Sequence, residues 1–176
     1  MEKQYLQTEL RAIEGKRIKA LVNDYTLSKR LSGRNGKFRE IISKEVWTKA
    51  ISEVRELKVY INHQPYVDIM KDVELRAEED GVYLYGTLND NAGGVYKAIE
   101  EGRLTGVSFG FRALEDEFEQ RTDYLERHIK DMKLFEVSLL DVEPAYYNTK
   151  IEARNLELPV DNMTLRQRQL DLLKMI

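Results

Sequence analysis

Apolar residues recur at every second position through much of this chain, and the period lengthens to that of a helix in only a few windows. Residues 17–23 (RIKALVN) alternate as a half-buried strand, after a Gly15-Lys16 turn and a first strand near Tyr5–Ile13. Leu57, Val59 and Ile61 alternate in another strand, which delivers His63 at its end. Residues 73–88 predict a hairpin in which Asp80-Gly81 supplies the positive φ of a tight turn. Residues 104–112 (LTGVSFGFR) and 133–141 (KLFEVSLLD) are two further strands, the second ended by Pro144. Between them, 115–131 is charged and irregular and reads as a surface excursion or a long hairpin tip.

Helical signals are few. Ser43 is an N-cap, with Glu45 in the first turn and Trp47 and Ile51 four apart on one face. Residues 90–101 (DNAGGVYKAIEE) form a helix that stops at Gly102, and residues 28–36 (SKRLSGRNG) form a loop. Thr164 and Gln167 have the spacing of a capping box that opens a Leu-rich terminal helix. These elements predict a mainly β protein with some α: a closed antiparallel β-barrel surrounded by helices, over residues 1–155, with a helical extension at 156–176.

Composition narrows the chemistry. The 176 residues suffice for one core, and a net charge of -3 gives no electrostatic reason to expect a nucleic-acid partner. No cysteine is present, which removes disulfides, thiol nucleophiles and thiolate metal sites together. No stretch is apolar and long enough to span a bilayer, and Met1–Leu10 lacks the apolar run of a signal peptide. Gly93-Gly94 lacks the spacing of a phosphate-binding loop, so no cofactor is expected. His63 and His128 are the two histidines, a poor ligand set for a catalytic metal.

On residues 104–112, strand parity sends Thr105, Val107, Phe109 and Phe111 to one side and Gly106, Ser108 and Gly110 to the other. Glycines on both sides of one hydroxyl predict an open face on which a peptide could approach Ser108; a bulge or barrel corner is the competing reading. The strand–turn–helix context of an α/β-hydrolase serine is absent, since Phe109, Phe111 and Ala113 continue the strand. A serine hydroxyl needs a base, and His63, on a strand end before the Pro65 turn, is the better placed of the two histidines. Glu136, on an apolar strand where its carboxylate needs a partner, is the candidate to orient that histidine. His128, between Arg127 and Lys130 in a charged loop, is the alternative third member.

These segments, taken in order, resemble the HK97-type prohead maturation proteases of tailed phages. The series runs from Gly33 and Phe38-Arg39-Glu40-Ile41-Ile42 through the helix of Trp47 to Asn62-His63 and Gly86-Thr87-Leu88. It ends in Leu104–Phe111 and in Phe135-Glu136-Val137-Ser138-Leu139, followed by Pro144-Ala145-Tyr146, and so covers roughly residues 10 to 150. The resemblance implies a fold related to the herpesvirus assembly proteases, with the histidine before the serine in the chain. It implies a serine endopeptidase in the host cytoplasm, packaged inside the assembling prohead, that cleaves scaffold or the delta region of the major capsid protein and then itself. The herpesvirus enzymes use a second histidine as third member, which keeps His128 under consideration. Gln64, where the family often has an acidic residue, is assigned no role, and the loop at Val142–Ala145 is the candidate source of oxyanion-binding amides. Self-association is compatible with this reading, and a catalytically silent scaffold or assembly module on the same fold is the alternative.

Overall fold

The computed structural model describes residues 10–13, 16–33, 36–64 and 69–141. The expectations for the Pro65 turn, the Val142–Ala145 loop, Pro144 and the terminal helix lie outside them.

The protein is mainly β, as the alternating pattern implies. Strands β1 (Leu10–Ile13) and β2 (Arg17–Asn23) are followed by β3 (Leu31–Gly33), β4 (Gly36–Ile42) and helix α1 (Lys44–Glu53). Next come β5 (Lys58–Ile61), β6 (Met70–Ala77) and β7 (Val82–Leu88), a short 3-10 turn at Asp90–Ala92 and helix α2 (Gly93–Glu100). The long strands β8 (Gly106–Gln120) and β9 (Leu125–Leu140) complete the described chain. One sheet has the order β1-β2-β7-β6 and is antiparallel throughout. In the other, β8 runs antiparallel along β9, whose opposite edge carries two strands in succession. There β4 pairs parallel with its beginning, from Phe38 beside Leu125 to Ile42 beside Ile129, and β5 pairs parallel with its end, from Lys58 beside Glu136 to Ile61 beside Leu139.

This corrects the expected closed antiparallel barrel. Among the described residues there are two sheets, and two of the pairings are parallel. Alternation reports that a strand is half buried, but neither its neighbour nor its direction. The two sheets enclose one core: Ile18, Ala20 and Val22 of β2 and Val82 and Leu84 of β7 belong to the same buried cluster as Val107 and Phe109 of β8 and Val137 and Leu139 of β9. Trp47 is fully buried in that cluster, with its ring edge-on to Phe109 at 4.8 Å between centroids.

Local signals at the helix ends are realised. Ser43 has extended N-cap geometry and its hydroxyl accepts from the Val46 amide, while the Ser43 hydrogen bond holds the Glu45 carboxyl below its ordinary range. Helix α2 ends in a Schellman motif: the Gly102 amide donates to Ile99 and the Arg103 amide to Ala98, with Gly102 at φ 68°. Gly81 differs from expectation. Its φ is not positive; an added Cβ there would lie 2.7 Å from the Asn23 carbonyl oxygen, so close approach to the end of β2 is what requires glycine. Residues 28–36 are likewise more than a loop, since Leu31–Gly33 form β3 and pair with the start of β4.

The charged stretch 115–131 continues both strands as a ribbon. Beyond Phe111 the β8 side chains are mostly exposed, so the apolar alternation that marks a strand is missing there. Cross-strand ion pairs take its place, including Lys130 with Glu117 at 3.0 Å. Arg127 anchors the ribbon to β4. Its buried guanidinium lies 2.9 Å from the equally buried Glu40 and 2.5 Å from Asp116. Arg127→Ala removes the cation from between two carboxylates and is expected to cost about 3–5 kcal/mol, read as a lower urea midpoint.

Candidate active site

Ser108 lies where β8 packs its odd-numbered neighbours, Val107 and Phe109, into the core. Its own side faces the other way, and the register sets Ser108 directly opposite Ser138 and Gly110 directly opposite Glu136. Sequence parity predicts the face but not its cover. Ser108 is only 1% exposed, so the open face expected around it is corrected to a covered one. The glycine at 110 has a definite neighbour. A Cβ there would lie 2.5 Å from Glu136 Oε1 and 3.0 Å from Glu136 Cγ, so the missing side chain leaves the space that the glutamate occupies.

Glu136 reaches that space through a β-bulge. Met132 and Leu134 point into the core, and two strand residues later Glu136 would do so as well. The register slips between Gly110 and Phe111, however, where Phe135 is the extra residue on β9, and the inward set resumes at Val137 and Leu139. The slip re-aims Glu136 away from the core, a common use of a bulge beside a functional site. Gly110→Ala would push the carboxylate aside. A displacement of about 1 Å is worth up to roughly 100-fold in rate, so a loss of about 10- to 100-fold is expected in the purified variant, together with a stability loss of about 1–3 kcal/mol from the disturbed buried hydrogen bonds.

His63 is delivered by a tight turn at the end of β5. The Gln64 amide donates to the Ile61 carbonyl at 3.0 Å, and the central residues Asn62 and His63 have φ of 51° and 58°, the left-handed pattern of a type I′ turn. Asparagine tolerates this region, and Asn62 also ties the turn to β9. Its amide donates to the Leu139 carbonyl at 2.9 Å, and its side-chain oxygen accepts from the Asp141 amide at 3.2 Å. The turn is therefore braced where β9 ends. His63 Nδ1 lies 2.8 Å from Glu136 Oε1, with both side chains mostly buried. An ionised carboxylate can only accept, so this contact assigns the proton to Nδ1. The other carboxylate oxygen, Oε2, accepts from the Ser138 hydroxyl at 2.6 Å.

Sequence reasoning missed Ser138 and Asn62. Ser138 had a usable signal, since it is two residues from Glu136 and must share its strand face. The structure places His128 elsewhere. It is in strand β9 rather than a loop, and it precedes Glu136 by 136 − 128 = 8 residues. Extended strand makes that roughly 25 Å, too far to contact His63 or the carboxylate beside it. His128 Nε2 instead lies 3.0 Å from Glu126 and 3.7 Å from Glu119. These three residues form a group with metal-ligand spacing, but Arg121 already donates to both oxygens of Glu126 and holds that carboxyl below the usual range. Beside the His63 turn, a cleft of about 470 Å³ has apolar walls from Ile61, Ile69, Val95 and Leu104, with Arg103 and Asp141 among its lining.

A hydroxyl and a carboxylate on adjoining strands, with an imidazole on the turn that ends a third, are the group set of serine-hydrolase chemistry. The chain belongs to the caudovirus prohead serine protease family, whose model matches residues 7–164. It is 27% identical over 107 residues to the prohead protease of Escherichia phage T5, covering 58% of this chain and 50% of that protein. The chain thus spans about half the length of the curated relative it matches. No solved structure matches it.

Proposed function

We propose that this protein is a serine endopeptidase of phage prohead maturation, with Ser108 as nucleophile, His63 as general base and Glu136 as the acid that orients the base. The observation that carries this reading is the 2.8 Å contact between His63 Nδ1 and Glu136, made across 73 residues of sequence beside the serine strand. With Nδ1 given to the carboxylate, Nε2 is the nitrogen that takes the Ser108 proton as Oγ attacks the peptide carbonyl. The same nitrogen returns the proton to the departing amine, leaving an acyl-enzyme that water hydrolyses. Ser108 and Glu136 are diagonal neighbours on one sheet face, a separation of roughly 7–8 Å, which one imidazole ring can bridge.

Ser108 is covered in this arrangement, so substrate entry has to displace what covers it. The apolar cleft beside the His63 turn offers walls for a substrate side chain. Its substrates are proposed to be the major capsid protein or its scaffold or delta region, and the chain itself, inside the assembling prohead of the infected host cell. Co-expression with the major capsid protein of the same phage tests the reading. Wild type should shorten the capsid protein and itself, as seen by mass spectrometry, and Ser108→Ala should leave both intact. Intact partners with wild type would instead favour the silent assembly module.

A further inference from the structure

We propose that Ser138 is a positioning residue of this site, whose hydroxyl holds Glu136 in the orientation that serves His63. The inference rests on the proposed triad and extends it by one residue. A carboxylate held through one oxygen can still turn, because its terminal torsion is broad. Glu136 is held through both, Oε1 by His63 at 2.8 Å and Oε2 by Ser138 at 2.6 Å. The second distance is in the short range of hydroxyl–carboxylate bonds, which are stronger than neutral ones.

The surroundings favour this role over simple packing. Ser138 is 0% exposed, and a hydroxyl buried to that extent needs a polar partner, which the Glu136 carboxylate supplies. The register sets it directly opposite Ser108 and two residues from Glu136, so nucleophile, acid and brace share one sheet face. The Gly110 gap confines the carboxylate from the opposite side. Glu136 is thus fixed by a hydroxyl at one oxygen, an imidazole at the other and a bare backbone beneath it, and His63 inherits that order.

The test uses the full chain and a fluorophosphonate probe, which phosphonylates an activated serine with loss of fluoride. Ser138→Ala should lower the maximal labelling rate at Ser108 by about 10- to 100-fold, with the half-saturating probe concentration unchanged. In a Glu136→Gln background the same substitution should add almost nothing, because Ser138 acts through Glu136. Ser138→Cys, nearly the same size but a weak donor, should lose rate with a normal melting profile, and it carries the test if the alanine variant does not fold. Wild-type labelling by Ser138→Ala or Ser138→Cys overturns the proposal, and so does a loss that is fully additive with Glu136→Gln. Labelling found on Ser138 itself also overturns it. If wild type is not labelled at Ser108, the triad reading fails and this inference fails with it; if Ser108 is labelled but the cycle is additive, only the inference fails.

Discussion

Ser108→Ala is expected to abolish cleavage while leaving a protein that folds. The substitution removes one buried oxygen and leaves a side chain that Gly106 and Gly110 neighbours on the same face do not crowd, so the stability change should be on the order of 1 kcal/mol. The chemical loss is far larger. Without Oγ there is no bond to the carbonyl carbon, and in serine-protease triads removal of the nucleophile costs about a millionfold in kcat, with the residue carried by binding and oxyanion contacts alone. The measurement is capsid-protein processing in co-expression, alongside a thermal melt of the purified variant. Near-wild-type processing by a folded Ser108→Ala protein would sink the serine-protease assignment.

Glu136→Gln is expected to be the next most damaging change, and its contrast with His128→Ala is the sharper result. The amide is nearly isosteric with the carboxylate and can still accept the Ser138 hydrogen bond. Facing His63, however, it can donate to Nδ1, which moves the imidazole proton to Nε2 and leaves no lone pair to receive the Ser108 proton. It also removes the charge that stabilises the imidazolium. In a serine protease, the equivalent acid-to-amide change costs about 10,000-fold. His128→Ala, roughly 25 Å along the strand, should leave turnover near wild type and change only the Glu119 and Glu126 contacts of the ribbon. Kinetics and melting of both variants separate the assignments. A severe turnover defect in His128→Ala beside an active Glu136→Gln protein would return the third role to the second histidine.

Much of this was legible in the chain because it depends on short-range properties. Helix α1 follows from Ser43, Glu45 and the spacing of Trp47 and Ile51, since a cap and a stripe involve only near neighbours. The inward set of Val107, Phe109 and Phe111 follows from the two-residue strand repeat. The need of Glu136 for a partner follows from a carboxylate among apolar neighbours. The ribbon was the opposite case. Its β8 side is charged and mostly exposed, and on its β9 side the apolar residues Leu125 and Ile129 are separated by charged ones, so the two-residue repeat that identifies a strand elsewhere was missing, and His128 was assigned to a loop.

The sequence by itself therefore determined the mainly β character, the capped helices, and the types of group available for chemistry: one glycine-flanked serine, two histidines and a carboxylate on an apolar strand. Tertiary structure alone decided how they meet. That β4 and β5 both lie parallel to β9 depends on pairing between segments far apart in the chain, and no local period encodes a partner or a direction. The slip at Phe135 depends on the register of β8 against β9, and it turns Glu136 from the core towards the gap at Gly110. The same register sets Ser138 opposite Ser108, while the type I′ turn at Asn62-His63 brings the imidazole to the carboxylate. Residue chemistry is a property of each side chain, but contact is a property of the packed sheet.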